Sequence, residues 1–278
     1  MSNAVGFVCA MLREFESLRE ASGLDWEELG GSAFTSFVAE RGGMLLVAVV
    51  SGIGKSLAAA ASQFLVDRHS PSRLISFGLA GALAAHLRNG DVALPRDVLQ
   101  GDVGVHHRGG FTHPLSWRTR VEGLALSHHR ETEESLRHAL AGSLRQRGLN
   151  VHEEPLVTCD QVVLSRSRRE ELRGLAGACA VDMESGAIAI IAGINSLPFL
   201  VVRTISDTLD MEVEDGSFLF LLESGRRADR LRLAGRLASS GEIRRSLSAF
   251  REGSRLAYRN LVSAGQSLLD LLYRIPHS

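Results

Sequence analysis

The sequence predicts an α/β fold whose central sheet is covered by helices on both faces. Short, continuously apolar segments recur along the chain, and segments with helical periodicity alternate with them. Strands that are buried on both faces of a sheet have this apolar character, because helices cover the two sides. The 278 residues are 45% hydrophobic and 23% charged, which is sufficient for a large core and excludes a disordered chain.

Apolar runs mark the strands, and apolar residues spaced three or four apart mark the helices. The predicted strands lie within residues 5–9, 45–50, 74–77, 92–94, 155–164, 179–183 and 199–205. The predicted helices span about residues 11–18, 55–68, 132–147 and 184–194. Segment 100–118 is rich in glycine and histidine and has no clear period, so it is predicted to be a long loop.

Composition and charge exclude several classes of protein. The net charge of −1 gives no overall field that would attract nucleic acid. No apolar run approaches the ~18–20 residues of a membrane-spanning helix, and no leader segment is recognised, so a cytoplasmic protein is expected. Cys9, Cys159 and Cys179 lie in apolar surroundings and are expected to be buried thiols rather than disulfides.

The candidate site lies at one edge of the sheet, because ligands of α/β sheets bind beyond the carboxyl ends of the strands. These ends carry Met11–Glu14, Ser51–Gly54, Gly78–Gly81, Met183–Glu184 and Ser206–Asp207. The acidic residues of three of these segments are therefore expected to meet at one place.

Other catalytic motifs are incomplete. Gly54-Lys55-Ser56 resembles the end of a phosphate-binding P-loop, but Val49 stands where that motif needs its first glycine. The pairs His106-His107 and His128-His129 lack the spacing of a zinc hydrolase, and no Gly-x-Ser-x-Gly elbow occurs. No metal ion and no organic cofactor are therefore predicted.

Five segments in order carry a resemblance to a known family. They are Gly6…Ala10-Met11-x-x-Glu14, Ser51-Gly-Ile-Gly-Lys55, Gly78-x-Ala80-Gly81…Asn89-Gly90-Asp91, Val181-Asp-Met-Glu184 and Val202-Arg-x-Ile-Ser-Asp207. Together they resemble the nucleoside phosphorylase family over residues 5–222, and in particular its hydrolytic branch, the methylthioadenosine/S-adenosylhomocysteine nucleosidases. The resemblance implies a three-layer α/β/α sandwich around a mixed, partly closed central sheet, and cleavage of the bond between a purine and ribose.

The resemblance also implies roles for individual residues. Asp207 matches the aspartate that donates a proton toward purine N7, and Glu14 matches the glutamate that positions and deprotonates the attacking water. Glu184 matches the glutamate that binds the ribose hydroxyls, and its charge favours the cation that develops as the bond breaks. Ser206 and Arg203 match positions that support the acid and the strand end. The predicted substrate-binding residues, besides Glu184, are Met183, Asp182, Ser206, Ala10, Ile53, Ala80, Gly81, Val162 and Val163.

The choice between hydrolysis and phosphorolysis depends on where phosphate could bind. Similar phosphorylases hold phosphate with arginines near the first strand turn and before the glycine loop. Ser76-Phe77 precedes that loop here, and Arg13 near the first turn has Glu14 beside it. A carboxylate repels phosphate and suits water activation, so hydrolysis is favoured. Phosphorolysis by a purine nucleoside phosphorylase is the alternative.

Several residues depart from the nucleosidase pattern and leave the substrate open. Leu79 replaces a serine of the glycine loop, Val162 replaces an aromatic residue that stacks on the purine, and Asp182 replaces a glutamate beside Met183. Val181–Ser185 and the tail resemble the hopanoid-associated enzymes that remove adenine from adenosylhopane. Futalosine hydrolysis and a non-catalytic nucleoside-binding protein are further alternatives.

The tail differs from the rest of the chain in charge. Between residues 226 and 259 there are ten arginines against three acids. We therefore divide the chain into a catalytic domain, residues 5–222, and a basic helical C-terminal extension, residues 223–278, packed on or beside it. Its basic face is solvated in the simplest interpretation and meets anionic lipid or an acidic partner in another. The resemblance implies a homo-oligomer, with a dimer favoured, in which segment 100–118 completes a neighbour's site.

Overall fold

The computed structural model of the chain describes residues 3–30, 33–112, 118–121, 124–127, 129–211 and 241–274. The strands are β1 (Ala4–Cys9), β2 (Glu27–Leu29), β3 (Thr35–Arg41), β4 (Met44–Val50), β5 (Arg73–Ala82), β6 (Val92–Ala93), β7 (Asp97–Gln100), β8 (Val105–His107), β9 (Gly110–Thr112), β10 (Arg118–Val121), β11 (Leu124–Ser127), β12 (His129–Glu131), β13 (Val151–His152), β14 (Leu156–Thr158), β15 (Ala180–Asp182) and β16 (Phe199–Asp207). The helices are α1 (Leu12–Ser22), α2 (Lys55–His69), α3 (Glu134–Gln146), α4 (Arg166–Ala176), α5 (Ser185–Ile194) and α6 (Gly241–Leu272).

A mixed sheet forms the centre of the fold and divides at β5. Its main path runs β12-β7-β14-β15-β5-β1-β4-β3-β2, and β16, β6 and β13 form a branch. β5 pairs in parallel with β1 and β16, and its last residues pair antiparallel with β15. Because three strands meet on β5, the carboxyl ends of β1, β5 and β16 lie next to one another.

Of the three hydrophobic clusters in the described residues, two cover opposite faces of the sheet and produce the three layers. On one face, Phe15 of α1, Leu140 of α3 and Leu268 of α6 pack with residues of the sheet such as Phe7. On the other face, side chains of α2 and α5 pack with Val8 and the neighbouring strands. Adjacent residues of β1 therefore contribute to opposite layers, as the alternation of side chains in a strand requires. The predicted three-layer α/β/α fold with a mixed sheet is confirmed.

Three differences from the predicted elements have clear causes. The strand predicted at 74–77 continues to Ala82, because β16 pairs with it through Ala80 and Gly81. The loop predicted at 100–118 contains the end of β7 and the hairpin β8–β9, whose two strands pair with each other; residues 113–117 lie outside the described residues. β2, β3 and α4 were not predicted, because their sequences are largely polar and lack a continuous apolar run.

Helix α6 lies within the tail and shares the core of the sheet. Its side chains Leu261, Ala264 and Leu268 are buried in the layer that also holds α1. A Cβ atom on Gly265 would lie only 2.8 Å from the Cβ of Ala21, so glycine permits close contact between α6 and α1. Residues 223–240 lie outside the described part of the chain. Among the described residues, no helix combines the length and the apolar character needed to cross a membrane.

Replacing Leu268 by alanine tests whether α6 is part of the core. We expect Leu268→Ala to lower the free energy of unfolding by about 2–5 kcal/mol, because it leaves a cavity beneath the helix. Urea unfolding followed by circular dichroism measures this change. Arg259→Ala, at an exposed position of the same helix, is the control and should change little. Equal unfolding midpoints for the two variants would contradict the described packing.

Candidate active site

A cavity of about 590 Å³ opens at the carboxyl ends of the central strands. All twelve residues predicted for the site line it, and Ile53 and Val162 are the more exposed among them. Eleven further residues line the cavity without having been included in the predicted site. They are Met11, Arg13, Leu79, Gln161, Leu164, Val181, Met211, Arg251, Ser254, Arg255 and Tyr258.

Glu14 is fixed by backbone amides at the start of α1. Its Oε2 accepts hydrogen bonds from the amides of Ala10 (2.8 Å) and Met11 (3.0 Å), and its Oε1 accepts one from the amide of Leu79 (2.8 Å). Helix α1 begins where β1 ends, so the strand delivers this side chain to the cavity. Burial raises the pKa of Glu14 above its ordinary value, although Arg203 and the three amides oppose the shift.

Arg203 on β16 is fully buried and lies among three carboxylates. Its Nη2 is 2.7 Å from Oδ2 of Asp182 and 3.4 Å from Oε2 of Glu184, and its Nη1 is 3.8 Å from Oε1 of Glu14. One guanidinium cannot balance three buried negative charges. Burial, together with the charges of Asp182 and Glu14, raises the pKa of Glu184 to about 8, although Arg203 and the amide of Gly54 oppose the shift.

Gly78 lies directly beneath this cluster. A Cβ atom at Gly78 would lie 2.2 Å from Oε1 of Glu14 and 2.4 Å from Nη1 of Arg203, so any other residue would displace both groups. Among the described residues, Nη1 and Nε of Arg203 have no hydrogen-bond partner. A buried donor beside a buried carboxylate is a place where a polar atom of a ligand or a water can bind.

Asp182 anchors the cluster to the backbone. It accepts hydrogen bonds from Thr158 Oγ1 (2.5 Å) and from the amide of Ser185 (3.1 Å), in addition to its contact with Arg203. Ser185 is the first residue of α5, so Asp182 also holds the start of that helix. Because its oxygens already have these partners, the main contacts of Asp182 are with Arg203 and with the start of α5, although it also lines the cavity.

Asp207 has a separate set of partners at the end of β16. Its Oδ2 is 2.6 Å from Nη2 of Arg169, and its Oδ1 accepts a hydrogen bond from Ser206 Oγ (2.8 Å). Arg169 is buried and also donates to the carbonyls of Val163, Ala82 and Thr208, so it is held rigidly.

The contacts of two arginines therefore differ from those expected from the sequence. Arg203, expected beside the acid, contacts the other three carboxylates, whereas the partner of Asp207 is Arg169 on α4. Sequence reasoning missed Arg169 because it lies in the stretch Arg166–Glu171, whose charge is typical of a solvated helix. Only the packing of α4 against the end of β16 reveals its role.

A second group of titratable residues lies outside the cavity. His86, His152 and Glu154 have ligand atoms within 4.8 Å of one another. Their side chains are already hydrogen-bonded, since Nε2 of His86 lies 3.0 Å from Oε1 of Glu154, and Nε2 of His152 lies 2.9 Å from Oδ2 of Asp91. These contacts describe the group as a hydrogen-bonded network that also includes Asp91.

Comparison with known proteins identifies the family. The family model for the phosphorylase superfamily matches residues 4–231. The chain belongs to the phosphorylase superfamily. The aminodeoxyfutalosine nucleosidase of Helicobacter pylori is 28% identical over 228 residues, which cover 81% of this chain and 94% of the relative. A methylthioadenosine/S-adenosylhomocysteine nucleosidase of Listeria monocytogenes is 31% identical over 212 residues, which cover 75% of this chain and 88% of the relative.

Solved structures of this superfamily have the same fold. A Helicobacter pylori nucleosidase mutant with methylthioadenosine in its active site has a TM-score of 0.74 at 19% identity and covers 98% of this chain and 100% of its own. The futalosine hydrolase of the same organism has a TM-score of 0.73 at 20% identity and covers 96% of this chain and 97% of its own. The predicted family and the predicted enzyme class, a nucleosidase, are confirmed by the sequence relatives.

The raised pKa of Glu184 predicts how stability depends on pH. Between the ordinary value of 4.5 and about 8, the folded chain keeps a proton that the unfolded chain releases. The free energy of unfolding should therefore fall as pH rises through this window. Glu184→Gln removes the titration and should reduce the fall, whereas the exposed Glu170→Gln should retain the wild-type slope. Urea unfolding at several pH values measures both, and identical slopes in all three proteins would contradict the raised pKa.

Proposed function

We propose that this enzyme hydrolyses the N-glycosidic bond of an adenosine-type nucleoside, such as methylthioadenosine or adenosylhomocysteine. The observation that carries the proposal is the meeting of Glu14, Glu184 and Asp207 in one cavity, where each is held by different partners. Two carboxylates share Arg203, and the third is paired with Arg169. This separation suits a reaction in which the acids perform different tasks.

Asp207 acts on the leaving base. A purine anion departs poorly, so the reaction needs a proton on N7 while the bond between C1′ and N9 breaks and its electron pair passes to the purine. Arg169 and Ser206 hold the carboxyl group of Asp207 in one orientation, and the protonated form of this group is the proposed proton donor. The apolar residues Val162 and Val163 line the same cavity and suit contact with the faces of the base.

Glu184 acts on the sugar. Its carboxylate accepts hydrogen bonds from ribose hydroxyls, and its negative charge favours the oxocarbenium-like cation that develops at C1′. The ionised form performs this task, and because the pKa of Glu184 is raised to about 8, this form increases as pH rises toward 8. The nearby Arg203 and the amide of Gly54 both stabilise the charge. Met183 lines the cavity between Asp182 and Glu184 and supplies an apolar contact for the sugar.

Glu14 and Arg203 act on the nucleophile. The 3.8 Å between Oε1 of Glu14 and Nη1 of Arg203 leaves room for one water to contact both groups. Glu14 accepts a proton from this water while the oxygen of the water forms a bond to C1′. The raised pKa of Glu14 increases its basicity, so burial supports this role.

The charge of the cluster favours water over phosphate as the nucleophile. Glu14 and Asp182 both lie beside the single guanidinium of Arg203, and a carboxylate at the position of the nucleophile repels a phosphate dianion. Hydrolysis is therefore the proposed reaction rather than phosphorolysis.

Release of base from a set of nucleosides tests the reaction. We expect adenine from methylthioadenosine or adenosylhomocysteine without phosphate, detected by chromatography, and no acceleration when phosphate is added. Adenosine and inosine, offered in parallel, identify the base and the need for a 5′ substituent. A strict requirement for phosphate would contradict the proposed role of Glu14.

Replacing Asp207 by asparagine tests the proposed acid. Asparagine has a similar shape but cannot donate a carboxyl proton, so kcat should fall by about 10²–10⁴-fold. Asp210→Asn is the matched control, because Asp210 is exposed and follows the strand by three residues. Unchanged turnover in Asp207→Asn would reject the mechanism, and ligand binding with no turnover in the wild type would indicate a nucleoside-binding protein.

A further inference from the structure

One wall of the cavity is built by a polar row on α6. Arg251, Ser254, Arg255 and Tyr258 are spaced so that they share one face of the helix, and all four line the cavity. The backbone of α6 lies close to the end of β16 at Gly253. A Cβ atom at this position would lie only 2.8 Å from the carbonyl oxygen of Ser206. The row is therefore fixed over the strand ends that carry the catalytic acids.

Helix α1 contributes a third arginine to this wall. The guanidinium of Arg13 lies over the ring of Tyr258, with 4.4 Å between its Cζ and the ring centroid, and Arg13 also lines the cavity. A cation over an aromatic face is attracted to it, which holds Arg13 beside the α6 row. We refer to Arg13, Arg251 and Arg255 as the arginine wall.

Among the described residues, the three arginines of the wall have no carboxylate partner. The acids of the cavity are paired with other arginines, since Asp207 contacts Arg169 while the remaining carboxylates contact Arg203. Within the part of the chain that the structure describes, no carboxylate forms an ion pair with a residue of the wall. All three wall residues are exposed, so their guanidinium groups are accessible from the cavity mouth.

We infer that the arginine wall binds an anionic group on the 5′ substituent of the substrate, a carboxylate being the simplest. The inference rests on the proposed function, in which the base lies at Asp207 and the ribose at Glu184. In this arrangement neither the base nor the ribose contacts the arginine wall. The 5′ substituent is the remaining part of the nucleoside that can reach it. The planar guanidinium fork matches the geometry of a carboxylate and forms strong, charge-assisted hydrogen bonds with it.

Free phosphate carries the same oxyanion chemistry and is the competing occupant of the wall. It would be a co-substrate, so its binding would make base release depend on phosphate and would not depend on the 5′ substituent. The two occupants are therefore separated by varying the substituent and the phosphate independently.

A matched pair of substrates tests the inference. Carboxypropylthioadenosine and butylthioadenosine, each substituted at the 5′ position, have chains of the same length and differ in a terminal carboxylate against a methyl group. We expect the wild type to favour the carboxylate by about tenfold in kcat/KM at low ionic strength, with a smaller preference at high salt. The double variant Arg251→Gln/Arg255→Gln should reduce the preference to within about twofold. Arg259→Gln, on the same helix but outside the cavity, should keep the wild-type ratio.

The outcomes distinguish failure of the inference alone from failure of the function on which it rests. Equal cleavage of the two substrates, or a preference that survives in the double variant, would overturn the inference and leave the proposed hydrolysis intact. Equal cleavage that requires phosphate would assign the wall to phosphate and overturn both. Failure to release adenine from either substrate, or from methylthioadenosine, would also reject both.

Discussion

A single buried guanidinium among three carboxylates is the constraint on which the rest of the site depends. Arg203 reaches Glu14 from α1, Asp182 from β15 and Glu184 at the start of α5, so one side chain joins α1 to a distant segment that connects β15 and α5. Burying a charge is unfavourable unless it is paired, and removal of one partner leaves the others unpaired. The division of the sheet at β5 places these elements together, and Gly78 leaves room for the groups to meet.

The site contains a second, independent ion pair, between Arg169 and Asp207. Two carboxylates of the same chemical type thereby acquire different surroundings, since Glu184 shares its arginine with two other acids whereas Asp207 has an arginine of its own. The two carboxylates are therefore held in different positions and face the cavity from different elements. The fold achieves this separation with two arginines from different layers, one on β16 and one on α4.

The sequence was sufficient to predict the strands that are buried along their whole length, together with the residues that follow these strands. β1, β4 and β16 are apolar on both faces, so their positions and their carboxyl ends could be predicted, and with them Glu14 and Asp207. β3 was missed because it has exposed residues at its ends and only intermittent burial. Arg169 was not identified, because only tertiary packing distinguishes a buried arginine from a solvated one in a charged segment. The α6 arginines whose side chains the structure describes are exposed, and only the packing of α6 shows that two of them line the cavity. A contact between residues far apart in sequence has no local signal.

The placement of α6 has a consequence for the order in which the enzyme becomes functional. Two residues of the arginine wall, Arg251 and Arg255, come from the final helix of the described chain, whereas Glu14 comes from the first. During synthesis the amino-terminal part of a chain emerges and begins to fold first. Glu14, Glu184 and Asp207 leave the ribosome before the helix that lines the same cavity. A nascent chain that has not yet reached α6 would thus carry Glu14, Glu184 and Asp207 without the wall that α6 forms beside them.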